Sequence, residues 1–220
     1  MPHNNTHTLS LTASYVDADG IVALGSSTGV ANLSITGVLT SGGKYTGDVM
    51  RLIAIASTGD ESADTYNLWG TDLFGNTVTD SVPGATDGTV YTARYFYTVS
   101  RVAVTSALTS TNVTVGPANR AALPWIVAPG HYGPISNLGV HYENVSGAVG
   151  STLQLTLQNI LPDEVLKVAA QPLSFNHASI AAATQTMAGS VTGVVQGFRL
   201  VVTGHATTAT VRIHTFHNGH

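Results

Sequence analysis

The sequence predicts an all-β protein made of two tandem antiparallel β-sandwich modules, Ig-like or jelly-roll-like, with residues 1–118 in the first and 119–220 in the second. Between residues 51 and 115, apolar positions alternate with Thr and Ser, which is typical of strands with one buried face. Gly, Asp and Asn interrupt the alternation at short intervals, as turns between antiparallel strands do. The chain has 220 residues, enough for one large β domain or two small ones.

The first module is predicted to begin with a short polar arm, residues 1–8. Residues 9–15 and 32–36 alternate as strands do, and residues 17–20 predict a turn between them because Gly20 can adopt a positive φ. Residues 49–56 form an almost continuous apolar run, which is typical of a strand buried on both faces.

A hairpin is predicted for residues 66–82. Its first strand alternates, with one face formed by Tyr66, Leu68 and Gly70 and the other by Asn67, Trp69 and Thr71. Residues 72–76 predict the turn, because Asp72 can accept hydrogen bonds from the backbone ahead of it and Gly75 tolerates a left-handed φ.

An aromatic-rich stretch follows at residues 91–97. In a strand, three tyrosines of this stretch share one parity and Phe96 has the other, so one set is expected in the core and the other against a partner or solvent. We hypothesise that the tyrosine face and a later tryptophan form an interface, with the residues Tyr91, Tyr95, Tyr97 and Trp125.

The second module is entered through residues 117–129, whose three prolines predict a linker. Further strands are predicted at residues 135–144, 152–159, 197–204 and 210–216, and short helical turns at 162–168 and 178–184.

Two segments of similar sequence suggest an internal repeat. Residues 101–115 and 199–213 both begin with Arg and share Val and Thr at matching positions. If they are a repeat, each module ends in the same closing hairpin. The alternative is that two Thr- and Val-rich hairpins match by composition alone.

The surface is expected to be poor in charge. Charged residues make up 9% of the chain, whereas ordinary soluble domains have about 25%. Lys44 and Lys167 are the only lysines that could protect exposed strand edges. These features favour a protein covered by copies of itself or by other chains, although a surface rich in Thr and Ser hydroxyls is an alternative.

Composition argues against several function classes. The net charge is −4 without a basic patch, so nucleic acid is not an expected partner. Cysteine is absent, which excludes disulfides and thiol chemistry. The N-terminus lacks the basic and apolar regions of a signal peptide. No apolar run approaches the ~18 residues that a membrane-spanning helix needs, so no membrane partner is expected.

No motif predicts catalysis or a bound metal. Residues 25–29 fit the pattern G-x-S-x-G, but a strand-like segment follows Ser27 where a nucleophile elbow needs a helix. His214, His217 and His220 lie close in sequence without a carboxylate or Cys among them. The pair Asp17 and Asp19 lacks the rest of a calcium loop. We therefore predict no catalytic residue, no cofactor, no metal ligand and no small-molecule substrate.

Several short motifs occur in a specific order along the chain. In the first half they are Gly70-Thr71-Asp72 with Gly75-Asn76, Thr89-Val90-Tyr91, Tyr95-Phe96 before Thr98-Val99, and Val113-Thr114-Val115-Gly116. In the second half they are Trp125-Ile126-Val127, Phe175-Asn176-His177, and the closing segments 199–203 and 209–213. Together these motifs resemble the pattern of virion proteins of tailed bacteriophages, from which the histidine-rich residues 214–220 depart.

The resemblance implies a non-enzymatic virion component, located in the particle and assembled in the bacterial cytoplasm. The first expectation is a head decoration, or cement, protein, acting as a homotrimer that bridges subunits of the major capsid protein. The expected partners are therefore copies of this chain and that capsid protein. Alternatives are a tail, baseplate or head-fibre component, a receptor- or glycan-binding adhesin, and a hydrolase using Ser27.

Overall fold

The computed structural model describes residues 4–13, 16–25, 27–108, 113–124, 126–127, 135–156, 174–176, 187–195 and 197–218. Throughout these ranges the regular elements are β-strands, and the strand pairs with a defined register are antiparallel. The all-β, antiparallel prediction is therefore confirmed. The described ranges contain no helix able to span a membrane. The helical turns predicted at 162–168 and 178–184 lie outside the described residues.

The chain forms two compact units. The first unit is Tyr15–Asn119, and the second combines Met1–Ser14 with Arg120–His220. Strand β1 (Asn4–Ala13) accounts for this discontinuity, because it pairs with the last strand, β15 (Gly197–Asn218), from Asn4 opposite Asn218 to Ala13 opposite Ala209. The predicted polar arm is wrong from Asn4 onward. Backbone hydrogen bonds of a ladder do not require apolar side chains, and β15 is long enough to accept this partner.

The first unit is built on a sheet in the order β7–β6–β9–β5–β10. Strand β3 adds to β9, β4 and β8 add to β5, and β2 adds to β10. The bounds are β2 Val22–Gly25, β3 Ala31–Asn32, β4 Thr40–Ser41, β5 Lys44–Asp60, β6 Thr65–Thr71, β7 Thr77–Pro83, β8 Thr86–Tyr91, β9 Phe96–Val104 and β10 Val113–Ala122.

The second unit is organised around β15. This strand pairs with β1, with β11 (Ile126–Val127), with the end of β10 and with β12 (Ile135–Thr156). Strand β12 also pairs with β13 (Ser174–Asn176) and β14 (Met187–Val195). Long ladders on both sides of β15 thus connect the two ends of the chain.

The predicted linker is wrong over its first half. Residues 117–122 belong to β10, where Pro117 is buried, and Ala121 and Ala122 pair with Val202 and Val201 of β15. A proline within a strand is compatible with a sheet wherever its missing N–H is not required by the neighbour. The boundary between the two compact units nevertheless falls within the predicted segment, between Asn119 and Arg120.

The repeat of closing hairpins is also wrong. Residues 199–213 lie inside the single strand β15, whereas residues 101–115 include the end of β9, a connection and the start of β10. Strand β15 pairs with β12 on both sides of the register shifts at Ser146–Gly150, so both halves of residues 199–213 have the same partner strand. Similar sequences therefore adopt different structures because their pairing partners differ.

The core of the first unit follows the predicted alternation. Tyr66 and Leu68 of β6 are buried, and Asn67 and Trp69 on the other face are partly exposed. Strand β5 is buried on both faces, with four consecutive buried residues from Met50 to Ile53. The prediction of a deeply buried strand at residues 49–56 is therefore confirmed.

The turn between β6 and β7 also forms as predicted. Asp72 Oδ1 accepts hydrogen bonds from the backbone N–H groups of Phe74 and Asn76, each at 2.9 Å. Asn76 Nδ2 donates to the other carboxylate oxygen of Asp72 at 3.0 Å, and Gly75 has a φ of 86°. Burial raises the pKa of Asp72, although the three backbone donors of Asn76, Phe74 and Gly75 oppose this shift.

Replacement of Gly70 by Ala is expected to destabilise the first unit by about 1–3 kcal/mol. A Cβ atom at this position would overlap the backbone carbonyl oxygen of Thr98 on the neighbouring strand, and a backbone atom cannot rotate away. Gly29→Ala is the matched control, because a Cβ there meets nothing within 4 Å. Chemical denaturation measures both variants, and equal stability of the two would contradict this account.

Candidate functional site

The most specific surface arrangement in the first unit joins an arginine, a tryptophan and an asparagine. The guanidinium carbon of Arg101 lies 4.1 Å from the centroid of the Trp69 ring. Arg101 Nε donates a hydrogen bond of 2.7 Å to Asn32 Oδ1. Arg101 and Asn32 are exposed and Trp69 is partly exposed. A cation–π contact and a side-chain hydrogen bond together restrict the position of the charged group.

A β-bulge places Arg101 on this surface. Trp69 pairs with Arg101 and Gly70 pairs with Val99, so Ser100 is an extra residue in β9. Val99 and Val102 are both buried, which an uninterrupted alternation would not permit. The extra residue reverses the alternation, so Ser100 and Arg101 are both exposed. Two valines that are both buried although they are three positions apart, Val99 and Val102, indicate that the alternation shifts between them. This shift is the sequence signal that could have identified Arg101 as a surface residue.

Neutral polar side chains surround the cluster. On the same face, β6 presents Asn67 and Thr71, and β7 presents Thr77, Thr79 and Ser81. Asn67 and Ser81 are cross-strand neighbours whose side chains form a hydrogen bond. Asp80 points away from this row, and its Oδ2 accepts hydrogen bonds from the N–H groups of Ala93 and Arg94 at 2.7 and 3.0 Å. The face therefore offers hydroxyls and amides without a carboxylate from either strand.

The three tyrosines predicted from sequence as interface residues do not lie on one strand. Residues 91–97 do not form one strand: β8 ends at Tyr91 and β9 begins at Phe96, so shared parity does not place the tyrosines on one face. Tyr91 is 40% exposed, Tyr95 is only 8% exposed and Tyr97 is half-buried. Tyr95 is thus a core residue of the unit. Trp125 lies outside the described residues. An interface role for Tyr91 and Tyr97 stays a prediction.

Within the G-x-S-x-G pattern, Ser27 and Gly29 form a local hydrogen-bonded turn. Ser27 Oγ donates to the carbonyl oxygen of Gly29 and accepts a hydrogen bond of 3.2 Å from Gly29 N–H. Strand β3 follows at Ala31, where a nucleophile elbow requires a helix. The hydroxyl of Ser27 is therefore committed to the backbone.

Buried acidic groups occur near one end of β6. Glu61 and Asp64 are buried, and Ser106 Oγ donates a hydrogen bond to Asp64 Oδ1. The buried hydroxyl of Tyr66 has no hydrogen-bond partner in the described structure. Burial raises its pKa, and the negative charges of Glu61 and Asp64 add to the shift. Tyr66 consequently stays protonated near neutral pH and is unsuited to act as a base.

The second unit contains a partly exposed histidine pair. The rings of His141 and His214, which are cross-strand neighbours, have centroids 5.7 Å apart. Glu143 Oε2 lies 3.9 Å from His214 Nε2 and 3.6 Å from Arg212 Nη1. Within the described ranges, no group of three His, Cys, Asp or Glu side chains is placed to hold a metal ion.

The chain matches no protein-family model and no curated protein. Among solved structures, the tandem CBM22-1–CBM22-2 domains of Paenibacillus barcinonensis Xyn10C are 8% identical, cover 95% of this chain and 97% of their own, and have a TM-score of 0.26. The infectious bursal disease virus VP2 subviral particle is 12% identical, with coverages of 96% and 72% and a TM-score of 0.19. These scores are too low to support an argument about function.

The pKa of Asp60 should rise towards its ordinary value of 3.8 when Thr86 is replaced by Val. Hydrogen bonds from Ser62 and then Thr86 lower this pKa, and the two hydroxyls lie 2.7 Å from Asp60 Oδ1. Carboxyl NMR titration measures the change. Thr89→Val, on the same strand, is the matched control.

The sign of the effect on stability follows from the lowered pKa. Folding favours the ionised carboxylate, so this contribution is fully present above pH 3.8 and is lost as the pH falls through the lower folded value. The stability difference between Thr86→Val and the unmodified chain should therefore disappear in acid. A difference that persists unchanged at low pH would rule out this cause.

Proposed function

We propose that this chain is a non-enzymatic structural component of a tailed-phage particle. Its proposed role is head decoration, in which a homotrimer bridges subunits of the major capsid protein. The resemblance of its ordered motifs to tailed-phage virion proteins supports the first statement. The commitment of Ser27 to a local turn, described above, supports a role without catalysis.

The observation that carries the proposal is the exposure of large apolar side chains on a surface poor in charge. In the first unit Leu24, Val30 and Val38 are 62%, 80% and 79% exposed. Isolated exposed apolar residues are common in monomers. Here they occur within residues 24–38, in a chain with only 9% charged residues. Covering these side chains would release free energy that a free monomer does not obtain.

Many copies can act together in this role. Each contact between a decoration protein and the shell can be modest, because the contacts of neighbouring copies are linked through a common lattice. A chain without cysteine cannot reinforce such a lattice by disulfides. Buried interface area is then the available source of added shell stability.

The double variant Val30→Ser and Val38→Ser is expected to weaken assembly, by about tenfold per side chain if each is buried in a contact. Native mass spectrometry measures the oligomer distribution, and binding to purified particles gives a second measurement. Leu73→Ser, at an exposed position of the β6–β7 turn, is the matched control. The melting temperature should be unchanged, because these side chains are already exposed. Unchanged assembly of the double variant would contradict the assignment of this surface.

The copy number of the chain in purified particles distinguishes the proposed role from its alternatives. Quantitative mass spectrometry against the major capsid protein should give about one copy per capsid subunit for decoration of the whole shell. A much lower ratio would assign the protein to the tail, baseplate or head fibres. Absence from the particle would overturn the virion proposal.

A further inference from the structure

Arg101 is held by groups that do not neutralise its charge. Arg51 forms an ion pair with Asp48 at 2.9 Å, and Arg212 lies 3.6 Å from a Glu143 oxygen. Arg101 instead contacts the face of Trp69 and the amide oxygen of Asn32. In the described structure, its Nη1 and Nη2 groups donate no hydrogen bond to the protein. A full positive charge with free donors is thus presented on an exposed surface.

The position of this charge is set before any ligand arrives. Trp69 supports the guanidinium plane at 4.1 Å, and Asn32 binds Nε at 2.7 Å. Each side-chain rotamer that need not be ordered on binding removes part of the entropic cost of association. The planar guanidinium matches a carboxylate through paired N–H donors, which a lysine cannot reproduce.

The surrounding face favours a polyhydroxylated ligand over a protein partner. The cores of protein interfaces are largely apolar, whereas the outward side chains next to Trp69 are those of Asn67, Thr71, Thr79 and Ser81. Hydroxyl and amide groups both donate and accept hydrogen bonds, as sugar hydroxyls do. The side of the guanidinium that faces away from Trp69 is a flat surface on which the apolar face of a pyranose can lie.

We propose that the outward face of β6, β7 and β9 binds a carboxylate-bearing saccharide, with the sugar carboxylate on the guanidinium of Arg101. Trp69 and Asn32 are positioning residues, since they hold that guanidinium in place. Asn67, Thr79 and Ser81 receive the sugar hydroxyls. The charge complementarity between a lone arginine and a sugar acid selects uronates and sialates over neutral sugars.

Calorimetric titration of the full chain tests the proposal with two acidic probes and their neutral counterparts. The probes are tetragalacturonate against its methyl ester, and sialyllactose against lactose. At least one acidic probe should bind about tenfold or more tightly than its neutral counterpart. The preference should decrease with added salt, because the contact lies at the surface. If neither acidic probe is preferred over its neutral counterpart, the proposal is overturned. A carboxylate of a protein partner is then the remaining candidate ligand for this face.

Variants locate the binding on the surface. Arg101→Gln should weaken binding of the acidic probe by about tenfold or more and remove its preference over the neutral one. Arg101→Lys, which keeps the charge and loses the planar fork, should fall between the two. Lys44→Gln removes one charge from another exposed position of the same unit and should leave binding unchanged.

Two results distinguish this site from general charge attraction and from the proposed structural role. Equal losses for Arg101→Gln and Lys44→Gln would overturn the site. Melting temperatures show whether each variant is folded, and exposure of both residues predicts little change. The copy number in particles does not depend on this titration, so either proposal can fail while the other stands.

Discussion

Backbone pairing between long antiparallel strands is the constraint on which this structure depends. The chain has no cysteine and few charged groups, so neither disulfides nor ion-pair networks are available to hold it. Strand β15 shows the consequence, because it pairs with β1 over ten residues and with β12 along most of its length. Side-chain chemistry then acts locally, at turns such as Asp72–Asn76 and at the bulge beside Trp69.

Charge is rare in this protein, and the ionic groups in its interior are closely partnered. Arg51 is fully buried, donates to both oxygens of Asp48 at 2.9 and 3.0 Å, and reaches the carbonyl oxygen of Ala118 at 3.1 Å. A buried ion pair is weak evidence for stability, but removal of one partner is costly. Through the carbonyl oxygen of Ala118, this arginine links β5 to the middle of β10.

Local structure could be predicted from the sequence, because it depends on neighbouring residues. The alternation from Tyr66 to Thr71 and the turn at Asp72 needed only periodicity and turn chemistry. Pairing partners were not accessible in this way: nothing in residues 4–13 indicates that they pair with β15. The Arg101 cluster was missed because one extra residue, Ser100, shifts the phase of β9. Alternation likewise placed Tyr95 wrongly on one face with Tyr91, because β8 ends at Tyr91 and β9 begins only at Phe96.

The pairing of β1 with β15 also determines when the protein can finish folding. Residues 15–119 form a contiguous unit, so they are complete once residue 119 has left the ribosome. Strand β1 is synthesised before this unit, yet its partner β15 is synthesised after it. Strand β1 therefore stays without this partner until β15 has been synthesised, and in that interval it is exposed to pairing with other nascent chains.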